Sequence, residues 1–158
     1  RVIITTFASL LARIQQIINV AAELHRVVTV TGYSMKQYVR IAQELNYLDI
    51  PAGVLVDVKE IGRYPDNQVI IITTGSQGQP EAALARMADG RHRDIQIKPN
   101  DTVVFSATPI PGNEEDVSRV INKLIKLRAE VIYPPLAPVH VSGHASQEEI
   151  KLLLTLVR

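Results

Sequence analysis

The residues with the clearest chemical potential lie together near the end of the chain, in His140-Val141-Ser142-Gly143-His144-Ala145-Ser146. Two imidazoles, two hydroxyls and a glycine crowd onto the approach to a helix. Ser146 followed by Glu149 is an S-x-x-E capping box. Ile150, Leu153, Leu154 and Val157 then repeat at i, i+3, i+4 and i+7, the spacing of a buried helical face. The start of such a helix offers N–H groups without intrahelical partners and the positive end of a dipole, both of which suit phosphate. Gly143 lets the backbone come close to a ligand. A protonated His144 could donate to a phosphate oxygen, and a neutral one could move a proton. The same pattern also fits a loop histidine tied to a carbonyl.

The other histidines carry weaker signals. His25 follows the first helix, where a cation suits the dipole. His92 lies in Arg91-His92-Arg93 and reads as part of a solvated basic patch. Beyond the pair His140 and His144 the histidines do not cluster, and there is no cysteine. A metal site built wholly within this chain is therefore not expected. There is no G-x-x-x-x-G-K-[ST] phosphate loop, and Gly75-Ser76-Gln77-Gly78 lacks the G-x-G-x-x-G dinucleotide spacing.

These residues need a scaffold. A chain of 158 residues suits one domain with a proper core. The net charge of +1 excludes a global basic field, so any nucleic-acid contact must be local. The absence of cysteine excludes a disulfide framework and leaves the cytoplasm as the default compartment. No apolar run is long enough to span a bilayer. Both ends read as cut within regular structure, which leads us to expect a fragment of a longer protein whose two termini lie close together.

Val2-Ile3-Ile4-Thr5, Val27-Val28-Thr29-Val30, Val69-Ile70-Ile71-Ile72, Thr102-Val103-Val104-Phe105 and Glu130-Val131-Ile132-Tyr133 read as strands, the first of them buried. Val54-Leu55-Val56 is a weaker strand, and Ile95-Gln96-Ile97 a candidate edge strand. Helical periodicity follows the first strand (Leu10, Ile14, Ile17, Ile18, Ala21) and the fourth (Val117, Val120, Ile121, Leu124, Ile125). Ser34 with Gln37 reads as a capping box for a helix through Leu45, and Pro80 as the first turn of a helix through Met87. The stretch from Asp57 to Asn67 reads as a surface connection with room for a short helix. Alternating apolar strands and helices predict a three-layer α/β/α sandwich with a mostly parallel, Rossmann-like sheet. The strands at Val2, Val27, Val69 and Thr102 are expected to be central.

In such a sheet the strand C-termini share one edge, where ligands bind. The loops there, including Phe7, Ser9, Gly32, Ser34, Gly75, Ser76 and Ser106, are rich in hydroxyls and glycine. Neutral donors of this kind suit a phosphodiester backbone or a nucleotide. Caps and tight turns ask for the same residues.

Four stretches together resemble the β-CASP domain of the ribonuclease J family, within the metallo-β-lactamase superfamily. They are Thr6-Phe7-Ala8-Ser9 with Arg13, Gln15 and Gln16; Thr74-Gly75-Ser76-Gln77-Gly78-Gln79-Pro80 with Ala82 to Met87; Phe105-Ser106-Ala107-Thr108-Pro109-Ile110-Pro111-Gly112-Asn113-Glu114; and His140 to Glu149. The resemblance covers residues 1–158 as a single β-CASP-like domain. It implies an RNA-processing hydrolase with 5′ exonuclease and endonuclease activity. RNA would run in the cleft between this domain and the metallo-β-lactamase domain of the same chain. It implies two zinc ions in that other domain and none in this fragment, which alone is expected to be inactive. His144 matches the motif histidine that reaches toward the scissile phosphate. Ser142, Gly143, Ala145 and Ser146 match the loop around a 5′-terminal phosphate, with His140, Phe7, Ser9, Gly75 and Ser76 as further phosphate or RNA contacts. This chain departs from the family pattern at Leu10, Ala12, Tyr33 and Gln79, where the family usually has an amide, an imidazole, a cation and an acid.

Two other readings stand beside the nuclease. One is a non-catalytic nucleotide- or RNA-binding Rossmann-like domain, and the other is an assembly module. Homo-oligomerisation stays open.

Overall fold

The computed structural model describes residues 1–134, 136–140 and 146–157. Five strands form one sheet: β1 (Val2–Thr5), β2 (Val27–Thr31), β3 (Val69–Thr73), β4 (Thr102–Phe105) and β5 (Glu130–Ile132). Their order is β2-β3-β1-β4-β5, and every pairing is parallel. The expected α/β class holds. The expectation that β2 is central does not, because β2 is an outer strand. Beyond it lies only the isolated bridge of Val28 to Leu55, held by Val28 N–H to Val54 O at 2.7 Å and Val56 N–H to Val28 O at 2.9 Å. The stretch read as a weak strand is thus a single bridge, since Gly53 at φ +81° and the polar residues from Asp57 onward stop its extension. Ile95-Gln96-Ile97 forms no strand. Ile95 is buried instead as a core side chain at 1% exposure.

Two apolar layers cover the sheet. Ile14, Ile17, Ile18 and Ala21 of α1 (Leu11–Glu23) and Met35, Val39 and Ala42 of α2 (Tyr33–Glu44) pack with Val28, Ile70 and Ile72 on one face. Leu84 and Met87 of α3 (Ala83–Ala88) and Val117, Val120, Ile121 and Leu124 of α4 (Glu114–Lys126) pack with Ile3, Ile71, Val103 and Phe105 on the other. Alternate residues of β3 therefore serve opposite faces, and all five are buried. That is why Val69 to Ile72 reads as an unbroken apolar run. Ile125 lies off the packed stripe of α4 and is 53% exposed.

Local details depart from the sequence reading in three helices. In α2 the N-cap is Gly32 rather than Ser34, and no side chain caps it. Gly32 has φ +95°, and a Cβ there would lie 2.5 Å from Thr74 Oγ1. The close approach of Thr74 and the left-handed backbone fix the helix start two residues early, so Ser34 falls inside the helix. In α3 the helix starts at Ala83, so Pro80 lies in the preceding turn. In α5 (Gln147–Leu156) the capping box is present: Ser146 accepts from Glu149 N–H, and the Glu149 carboxylate accepts from Ser146 N–H at 2.6 Å. Those bonds hold the Glu149 carboxyl below its usual range. Yet no residue of α5 is buried. Ile150, Leu153, Leu154 and Val157 are all exposed, which corrects the expected buried face. The periodicity made an amphipathic helix, and among the described residues nothing packs on it.

The start of the sheet is tied down by a buried ion pair. Arg1 Nη2 lies 2.7 Å from Asp101 Oδ2, with both side chains almost wholly buried. Arg1 also donates to Gln96 O at 2.6 Å, and Lys98 N–H donates to Asp101 at 2.7 Å. Arg158 lies outside the described residues, and with it the expectation that the termini meet.

Candidate nucleic-acid interface

α1 and α4 leave adjacent strands β1 and β4 for opposite faces, so the chain after these strands splits and opens a crevice. The loops extend the pairing across it. Thr6 N–H donates to Thr73 O at 3.3 Å, and Ser106 N–H donates to Thr5 O at 2.9 Å. Thr6 and Ser106 are buried at this edge.

Beside the crevice an open cavity of about 730 Å³ is lined by the loops after β1, β2 and β3. Phe7, Gly75 and Ser76, three of the sequence-derived RNA contacts, line it, with Gly32, Ser34 and Thr74. Ser9 does not line it; it sits exposed in the turn into α1, its carbonyl accepting from Leu11 N–H at 3.0 Å. Of the four departures from the family pattern, Tyr33 and Gln79 line the cavity while Leu10 and Ala12 do not.

Ser142, Gly143, His144 and Ala145 lie outside the described residues. Their stem is described, and it is held by an arginine. Arg13, from the first turn of α1, donates through Nη1 to Ser106 Oγ at 2.6 Å and to Val139 O at 3.1 Å. Ser106 Oγ donates in turn to Val139 O at 2.9 Å. Three segments therefore meet on the carbonyl immediately before His140. At the other end Ser146 caps α5, and it is exposed. Neither His140 nor Ser146 lines the cavity.

Two buttressing residues escaped the sequence reading. Gln77 is 2% exposed. Its Nε2 donates to Thr108 O at 3.1 Å, and its Oε1 accepts from Ile110 N–H at 2.7 Å and Asn113 Nδ2 at 3.3 Å. It thus locks the loop after β3 to the loop after β4. The signal was a polar residue between two glycines, which by itself names no partner.

His92 is the second. It was read as part of a solvated basic patch; instead the ring is half-buried and organises a turn. Its Nδ1 accepts from Asp94 N–H at 3.2 Å and Ile95 N–H at 3.1 Å. Nδ1 therefore carries no proton, and Nε2–H donates to Thr31 Oγ1 at 3.0 Å. Burial, then the charges of Arg86 and Lys36, push the His92 pKa down against the opposing pull of Asp94. The neutral ring joins the turn after α3 to the end of β2 on the cavity wall.

Among the described residues no group of three or more His, Asp or Glu side chains is placed to hold one metal ion. The resemblance assigns its two zinc ions to the metallo-β-lactamase domain rather than to these residues.

The family model for the ribonuclease J β-CASP domain matches residues 1–124. This chain belongs to that family. It is 53% identical over 156 residues to the ribonuclease J of Thermus thermophilus, covering 99% of this chain and 27% of the relative. It is 49% identical over 158 residues to the ribonuclease J of Helicobacter pylori strain J99, covering 100% of this chain and 23% of the relative. It is 43% identical to ribonuclease J2 of Bacillus subtilis, covering 100% of this chain and 28% of the relative. The chain thus spans about a quarter of the length of these ribonuclease J relatives. The cavity, the Arg13 clamp and the Gln77 lock are the strand-end edge of a β-CASP domain.

Proposed function

We propose that this chain is the RNA-binding, active-site-completing domain of a zinc-dependent ribonuclease J-like hydrolase that processes RNA by 5′ exonuclease and endonuclease cleavage. The observation that carries the reading is the convergence at one sheet edge. A cavity lined by Phe7, Gly75 and Ser76 lies beside the crevice where Arg13 and Ser106 grip the stem of the His140–Ser146 motif. Phe7 offers a ring on which a base can stack. Gly75 and Ser76 offer close backbone approach and a hydroxyl to phosphate oxygens. Ser142, Gly143, Ala145 and Ser146 would hold a 5′-terminal phosphate at the start of α5, with His140 beside them in the approach segment.

His144 is assigned the role of proton donor or charge stabiliser at the scissile phosphate. Two zinc ions, bound by the metallo-β-lactamase domain of the full-length protein, would supply the activated water. This chain's own part is to bind, orient and screen the strand. None of the helices among the described residues is long and apolar enough to cross a membrane, and the proposed setting is the cytoplasm.

The test is His144→Ala in the full-length protein. The expected result is a fall in kcat of roughly a hundredfold or more with little change in melting temperature. Near-normal kcat would leave an RNA-binding domain without a catalytic residue. Lost activity with a collapsed melting temperature would make His144 structural.

A further inference from the structure

We propose that the wall of the cavity formed by Tyr33, Lys36, Arg86 and Arg93 is a second nucleotide subsite, with a base stacked on Tyr33 and its phosphodiester held by the cations. The proposal rests on the RNA-binding reading above; it gives a role to Tyr33, where the family pattern has a cation, and adds Lys36, Arg86 and Arg93, which no motif above assigns. Tyr33 is 83% exposed, the highest value among the large apolar side chains, yet it lies at the mouth of a cavity rather than on open surface. Lys36 stands three residues on along α2, which puts it on the same side of the helix. Arg86 reaches the same cavity from α3. It is half-buried and forms no ion pair among the described residues. Arg93 completes the wall from the turn that His92 holds together.

The chemistry selects single-stranded nucleic acid. An exposed ring beside unpaired cations is the arrangement that stacks bases without reading them and follows the backbone. Two carboxylates, Glu81 and Asp94, also line the cavity. Against three permanent cations, with His92 neutral, they leave a modest positive excess rather than a deep anion trap. Such a wall suits a phosphodiester, which carries one charge, better than a terminal phosphate. Thr31 adds a donor: its hydroxyl already accepts from His92 Nε2–H, so its own proton is left for another acceptor at the cavity it lines. A volume of about 730 Å³ exceeds what one phosphate fills and lies within the usual range of ligand pockets. Phe7 and Ser76 on the β1–β3 side and Tyr33 and Lys36 on the β2 side then bind successive parts of one strand.

The test uses the full-length protein and two probes: a short 5′-phosphorylated single-stranded RNA, followed by fluorescence anisotropy, and uridine 5′-monophosphate as competitor. Tyr33→Ala is expected to weaken oligonucleotide binding roughly five- to a hundredfold, the range for losing one stacked base. Tyr33→Phe should restore it. Lys36→Gln with Arg86→Gln should weaken binding and reduce the salt slope by roughly one. Mononucleotide affinity should stay unchanged in all three, because the mononucleotide's phosphate is held at the start of α5 and its base on the Phe7 side, away from this wall. Unchanged oligonucleotide affinity in both Tyr33→Ala and the double variant overturns the subsite. Equal losses for oligonucleotide and mononucleotide also overturn it, since the wall would then belong to the terminal-nucleotide site. If the wild-type protein binds neither probe, the RNA reading itself fails, a result distinct from both.

Discussion

Two side chains at the site give residue-level tests that do not depend on the histidine loop. His92 is held neutral, with its pKa pushed down by burial and by Arg86 and Lys36. The unfolded chain would take up a proton near the ordinary histidine value of about 6.5, whereas the folded chain resists until lower pH. The His92 contribution is therefore present above about pH 6.5 and is lost as pH falls below it. Melting temperature followed from pH 7.5 to 5 should fall faster in the wild type than in His92→Gln, and parallel curves would remove this account of the ring. Arg13 makes a charge-assisted clamp on Val139 O and Ser106 Oγ. Bonds to charged groups contribute ~1.5–3 kcal/mol, so Arg13→Met should lower stability by about that amount and reduce kcat in the full-length protein. Arg13→Lys, which keeps the charge but loses the planar fork, should recover only part of both. Neither role was legible in the sequence. The hydrogen bonds of His92 depend on which segments the fold brings to it, and those of Arg13 span 93 and 126 positions of chain.

At the scale of elements, sequence pattern succeeded where local chemistry sufficed. The Ser146–Glu149 capping box was legible because all its partners lie within four residues, and β3 was legible because burial on both faces leaves an unbroken β-branched run. It failed where a neighbour decided the outcome. Thr74 set the start of α2 against the Ser34–Gln37 signal, and the apolar stripe of α5 carried no information about whether anything covers it. A ten-residue helix with no buried residue is marginal alone. Ser146→Ala, which removes a cap contributing ~1 kcal/mol, should therefore speed amide exchange across 147–156 while leaving the protection of β3 untouched. Exchange that speeds globally, in β3 as much as in 147–156, would show that α5 is part of the core. Gly78 supplies the opposite case. It has φ +73°, and a Cβ there would lie 2.5 Å from the backbone nitrogen of Val117 at the start of α4. Gly78→Ala must push the loop after β3 off α4 and unlock Gln77. A loss above about 2 kcal/mol is expected, seen as a lower denaturant midpoint, and a neutral result would refute the tight packing.

For the whole molecule, the parallel sheet follows from strands and helices that alternate in the sequence, and a parallel sheet gathers its strand ends on one edge whatever the order of strands. That is why the edge carrying the candidate site could be named although β2 was misplaced at the centre. What could not be read was the division of labour along that edge: the cavity sits beside β1, β2 and β3, while the His140 stem sits over the gap between β1 and β4. The central claim is that RNA lies along this edge. The most direct measurement is photo-cross-linking of a 4-thiouridine-substituted single-stranded RNA to the full-length protein, with the cross-linked peptides of this domain mapped by mass spectrometry. The account expects cross-links within residues 6–9, 31–36, 74–79 and 139–146. Cross-links confined to the opposite edge, around Arg26, Lys98 to Asp101 and Arg128 to Glu130, would contradict it.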